Sequence, residues 1–181
     1  TLSDDTCDLA YLETLLWNLS DEVAWQMRCD GFHARCVYIK LRLLPIKRQW
    51  SPDGNGFGRL ITRRITLESA TGSARGVGTA ARGLLRRAYD ETGLCAGTET
   101  VRLAGIGVTT LVPDDESGLT SFGADNSANG DPAPSNDAFS DRQRDGKLDA
   151  SMDRIRARFG FNSIQFGSST LAKGGDEVIV D

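Results

Sequence analysis

The hydrophobic period of this chain changes at one place, and the change limits what it can fold into. Leu9, Leu12, Leu16, Leu19, Val23 and Met27 recur at steps of 3, 4, 3, 4 and 4. That spacing is one apolar stripe of a helix, and Asp4, Asp5, Thr6 and Asp8 suit its positive N-terminus. Asp30-Gly31 then reads as a stop, because glycine enters the left-handed conformation at little steric cost. Beyond it the period drops to two. In ARCVYIKLRLL, Val37, Ile39 and Leu41 take one face and Tyr38, Lys40 and Arg42 the other, the pattern of a strand with one buried side.

The junction MRCDGFHARC, Met27 to Cys36, holds two of the four cysteines and the single histidine. Cys-x3-His-x2-Cys invites a zinc reading, but zinc needs four ligands. Cys7 and Cys95 are remote and lack paired spacing. The expectation is a connector: Cys29 closes the helix, Cys36 opens the strand and His33 lies between, with no metal bound.

Pro45 to Gly58 is turn-rich, and RLITRRITL, Arg59–Leu67, predicts a second strand antiparallel to the first. ESATGSARG reads as a loop whose glycines fit neither a phosphate-cradling nor a dinucleotide pattern. Val77, Ala81, Leu84, Leu85 and Ala88 mark a second helix, with Arg82, Arg86 and Arg87 off its stripe. TVRLAGIGVTTL, Thr100–Leu111, predicts a third strand, bulged or kinked at Gly105 and Gly107. Leu148, Met152, Ile155 and Phe159 mark a last amphipathic helix, ending at Gly160.

Charge is distributed unevenly. Residues 34–111 carry thirteen bases and five acids, whereas 1–33 and 112–181 each net −6. Such a confined basic block is the footprint of a polyanion, which points to nucleic acid. From Asp114 to Asp141 there are seven acids and no base, a composition that cannot bury enough apolar surface to offset its ordering entropy. Mean hydropathy of −0.31 agrees that part of the chain is unpacked. No run approaches the length of a membrane span, no signal segment opens the chain, and the cysteines suit a reducing cytoplasm. TLSDDT reads as the interior of a longer protein. The domains expected are 1–111 folded, 112–145 a disordered acidic insertion, and 146–181 a helix and tail.

Helix, strand, strand, helix, strand is an α+β fold: an antiparallel β-sheet with two helices packed on one face, here followed by a C-terminal amphipathic helix. GFHARCVYIKLR, TRRITL and VRLAGIGVTTL, in that order, resemble the strands of the little finger domain of Y-family translesion DNA polymerases, of the bacterial polymerase IV type. TLSDD is similar to the lead-in to that domain's first helix, and LDASMDRIRARFGFNSIQFGSS to its C-terminal helix and tail. The resemblance implies a domain lying along the major groove of template–primer duplex DNA and touching mostly phosphates. Backbone contacts of that kind position a duplex without reading its sequence. The residues it implies are Lys40, Arg42, Thr62, Arg63, Arg64 and Arg102, with Arg82, Arg86 and Arg87 in solvent on the helix side.

By the same resemblance, the parent's palm, fingers and thumb are partners, and its palm carboxylates hold magnesium. Those carboxylates are not in this chain. The lone histidine leaves no base for a Ser-His-Asp or Cys-His site, so no catalysis and no cofactor are expected of this segment. The family's clamp-binding peptide has its nearest match in GLTSFG, with Leu119 and Phe122 as anchors. Gly118 stands for its Gln and Ser121 for its second Leu, which argues against a sliding-clamp contact. Three other readings remain: a free-standing nucleic-acid module that stacks bases on sheet aromatics, for which only Tyr38 is available, the domain of an inactive polymerase-like repair protein, and an interaction domain whose acidic insertion is the functional part.

Overall fold

A computed structural model describes residues 1–46, 58–113 and 136–167, with backbone only for 136–143. Helix α1 spans Leu9–Cys29, strand β1 Phe32–Pro45, strand β2 Arg59–Thr71, helix α2 Ala74–Glu91, strand β3 Glu99–Pro113 and helix α3 Asn136–Phe159; a 3-10 turn follows at Phe161–Ser163. The strands form one antiparallel sheet in the order β2-β1-β3, and α1 and α2 pack together on one face of it. The α+β reading holds.

Asp8 starts α1, its Oδ1 accepting from the backbone N–H groups of Ala10 at 2.9 Å and Tyr11 at 3.2 Å, which satisfies two otherwise orphaned donors. Gly31 ends it at φ +74°. The buried line of α1 runs Leu12, Leu16, Ser20, Ala24 and Met27, shifted from the apolar stripe, with Leu19 and Val23 at its margin. Ser20 is tolerated there because its Oγ donates to the Leu16 carbonyl at 2.6 Å. In α2 the buried set contains all five stripe residues, joined by Ala74 and Gly78. Gly78 carries no Cβ because the Trp17 ring of α1 occupies that space.

The connector is shorter than the sequence suggested. His33 is the second residue of β1, paired with Val112, and Cys36 lies further in, so only Asp30 and Gly31 separate helix from strand. Among the described residues no three His, Cys, Asp or Glu side chains converge as a metal site. ESATGSARG is not a loop: β2 continues through Thr71 and α2 begins at Ala74. Its glycines allow close approach, since a Cβ on Gly72 would meet the His33 ring at 2.9 Å. The irregularity of β3 is also elsewhere. Gly105 and Gly107 hold regular register, and the shift falls between Arg42 and Leu43, opposite Arg102.

Helix α3 exists, but its packing face is not the apolar one. Leu148, Ile155 and Phe159 are exposed, and among the described side chains the buried ones are Asp149, Met152 and Arg156. Arg156 reaches α1 through a bidentate pair with Asp21 at 2.9 and 2.5 Å, and its Nη2 also donates to the Ile164 carbonyl at 3.0 Å. Arg28 of α1 pairs with Asp153, both contacts at 2.7 Å, and donates to the Gly72 carbonyl at 2.7 Å. Burial pushes the neighbouring Asp149 carboxyl above its ordinary range, against the pull of Arg28. The helix also starts earlier than expected, at Asn136, within the segment read as disordered to 145. Composition alone does not separate a polar helix from a disordered run.

Candidate nucleic-acid interface

Cross-strand partners share a face, so the register fixes what each side of the sheet presents. Val37 pairs with Ile65 and Val108, Ile39 with Arg63 and Ile106, and Leu41 with Ile61 and Ala104; this is the helix side. The opposite side includes three rows with polar centres. Tyr38 lies between Arg64 and Gly107, Lys40 between Thr62 and Gly105, and Arg42 between Leu60 and Leu103.

Three cations therefore stand on neighbouring strands of the open face. Lys40 and Arg64 are exposed and Arg42 is half-buried. Among the described residues none of them has a carboxylate within ion-pair distance, whereas Arg28, Arg59, Arg63, Arg75, Arg86, Arg102 and Arg156 each have one. Arg42 Nε is buried without a hydrogen-bond partner among the described residues, its stem lying between the two leucines of its row. Lys40 Nζ sits 5.6 Å from the centre of the Tyr38 ring, within cation–π range. Two of the three β3 positions in these rows are glycine. A Cβ on Gly105 would meet nothing within 4 Å, and one on Gly107 would collide with the Tyr38 ring. Tyr38 is thus laid over the β3 backbone.

Of the six residues inferred from sequence, four share this face: Lys40, Arg42, Thr62 and Arg64. Arg63 faces the helices, where its Nε donates to Glu91 at 2.9 Å. Consecutive strand residues alternate sides, so the two adjacent arginines cannot both point outward. Arg102 stands at the register shift and pairs with Asp5 at 3.1 Å. On the helix side Arg82 and Arg86 are exposed and share Glu13, and Arg87 lies 3.9 Å from Glu91. Leu119 and Phe122 lie outside the described residues. Sequence reasoning missed Leu60 and Leu103, which strand alternation from Thr62 and from Gly105 would have placed here.

No helix among the described residues is long and apolar enough to cross a membrane. Residues 1–121 match the family described as impB/mucB/samB family C-terminal domain. The chain is 28% identical to a DNA polymerase IV of Dehalococcoides mccartyi strain CBDB1 over 173 residues, 96% of this chain and 35% of that protein. It is 30% identical to a DNA polymerase IV of Caulobacter vibrioides over 168 residues, 92% of this chain and 33% of that protein. The chain therefore spans about a third of the length of these relatives.

Proposed function

Because the chain belongs to the impB/mucB/samB family C-terminal domain, the C-terminal domain of Y-family polymerases, we propose that its open strand face grips duplex template–primer DNA. Lys40, Arg42 and Arg64 take phosphates, and Thr62 hydrogen-bonds beside them. The grip lies along the major groove and serves a parent polymerase that copies damaged templates. The observation that carries the reading is the three cations on adjacent strands without carboxylate partners among the described residues. Such charge is what a polyanion requires, since phosphate contact releases condensed counterions. Glycine at 105 supports it, because a position where a Cβ would meet nothing within 4 Å lets a second backbone come close.

Phosphate contacts carry no sequence information, so affinity for unrelated duplexes is alike. Three contacts give a log–log salt slope of about −2.7. Fluorescence anisotropy on several duplexes across a salt series measures both. The double variant Arg42→Ala, Arg64→Ala weakens binding on every duplex and flattens the slope by about 1 unit per lost contact. Arg82→Ala, Arg86→Ala does less. A strong preference for one sequence, or a helix pair that matters more than the strand pair, would refute the assignment.

A further inference from the structure

The helix side of the sheet carries a second surface, independent of the face proposed for DNA. Strand β2 is an edge: among the described residues it pairs only with β1, so alternate backbone N–H and C=O groups along it point outward without a ladder partner. Between this edge and α2 lies a cleft floored by Ile65, Leu67, Ala80 and Leu84. Ile65 is on the core-facing side by its pairing with Val37, yet it is 42% exposed. α2 does not cover it, and Gly83 leaves the far wall open, since a Cβ there would meet nothing within 4 Å.

Cations outnumber carboxylates at the border by three to two. Arg75 and Arg87 line the cleft and Arg63 reaches its α2 end, against Asp145 and Glu91. An open strand edge beside an apolar trough walled by a helix is the geometry of strand addition. The main chain of an incoming peptide supplies hydrogen bonds, and its alternate side chains fill the trough.

We propose that the β2 edge and this cleft form a docking site for an extended peptide of a second protein chain. The peptide carries β-branched apolar side chains at alternate positions, which face Ile65 and Leu67, and carboxylates at its ends, which meet Arg75 and Arg87. The opposite charge at the border selects an acidic peptide over a basic one.

The full chain is titrated against the fluorescein-labelled peptide Asp-Glu-Val-Thr-Ile-Thr-Val-Asp-Glu, with amide chemical shifts followed by NMR. Saturable binding is expected, with shifts confined to β2 and α2. Gly83→Leu fills the trough and improves helix propensity, so the domain stays folded. It excludes a side chain whose burial is worth about 1.5–3 kcal/mol, a loss of about ten-fold or more in affinity. Arg87→Glu also weakens binding, most at low salt, and a peptide with lysines for its acids binds less well. Duplex DNA does not displace the peptide. Absence of saturable binding, equal affinity of the lysine peptide, or unchanged affinity in folded Gly83→Leu overturns the proposal. Displacement by duplex reassigns the surface to DNA.

Discussion

Replacing Asp21 with alanine should release α3 from the domain while leaving the sheet and the α1–α2 layer folded. Arg156 and Asp21 are almost wholly withdrawn from water, at 0% and 4% side-chain exposure, and Arg156 also stacks over the Phe161 ring at 4.4 Å. Removing one partner of a buried pair leaves an uncompensated charge, which costs about 3–5 kcal/mol. The other anchors of α3 are of the same size. Burial of Met152 contributes about 1.5–3 kcal/mol, and the Trp25–Phe161 ring contact at 5.2 Å about 0.5–1.5. The Arg28–Asp153 pair, 17% and 24% exposed, contributes about 1. Undocking rehydrates Arg156, so it is the least costly response. Hydrogen exchange should accelerate by roughly two to four powers of ten for amides of 148–159, with little change in α2 and β1. The double variant Asp21→Leu, Arg156→Met should recover most of the protection, because an apolar pair of similar volume needs no compensation. Unchanged exchange in α3, or a loss of protection spread through the whole domain, would show that the pair does not act as a local clasp.

Gly107→Ala should change sign with its background: unfavourable beside Tyr38, whose ring occupies the Cβ position, but stabilising by about 0.5–1 kcal/mol in Tyr38→Ala, where only the glycine's backbone freedom is lost. Thermal melts of the four proteins measure it, and equal effects in both backgrounds would count against the contact. Glu99 ties the ends of β2 and β3, accepting from Arg59 Nε and Nη2 at 2.9 and 2.7 Å and from the Gly93 N–H at 2.9 Å. The Arg59 hydrogen bonds hold its carboxyl below the ordinary 4.5. A depressed folded value adds stability above 4.5 that is lost as pH falls through the folded value. Glu99→Gln should therefore melt below the parent at neutral pH and converge with it in acid. A constant difference across pH would refute the linkage.

The elements written in local periodicity were legible. The stripe of α1, the alternation of β1 and the small-and-leucine face of α2 each express contacts that repeat within one element. Legibility failed where two distant segments share a residue's reason for being there. Gly72 looks like a loop glycine until His33 is seen beside it, and Gly78 has no local reason until the Trp17 ring is found against it. Arg156 and Asp153 look like the solvent face of α3 until Asp21 and Arg28, more than a hundred positions earlier, are found opposite. The open strand face was legible for Lys40 and Arg42, where alternation is unbroken. It was less so for the Arg63-Arg64 doublet and for Arg102, where only the register decides which arginine faces outward and which is taken by an acid.

The clasp of α3 has a thermal consequence. Hydration of apolar surface gives unfolding its large heat capacity, and polar surface contributes with the opposite sign. The contact between α3 and α1, which among the described residues rests on the ion pairs of Arg156 with Asp21 and of Arg28 with Asp153 and Asp149, therefore separates with a small heat-capacity change. The desolvation penalty of its charges also falls on warming. The sheet–helix core, lined by Leu12, Leu16, Ile39, Leu41 and Leu85, follows the strongly curved dependence of an apolar interior. The two parts are held on different temperature scales, and α3 keeps its hold on the domain while the core beneath it weakens.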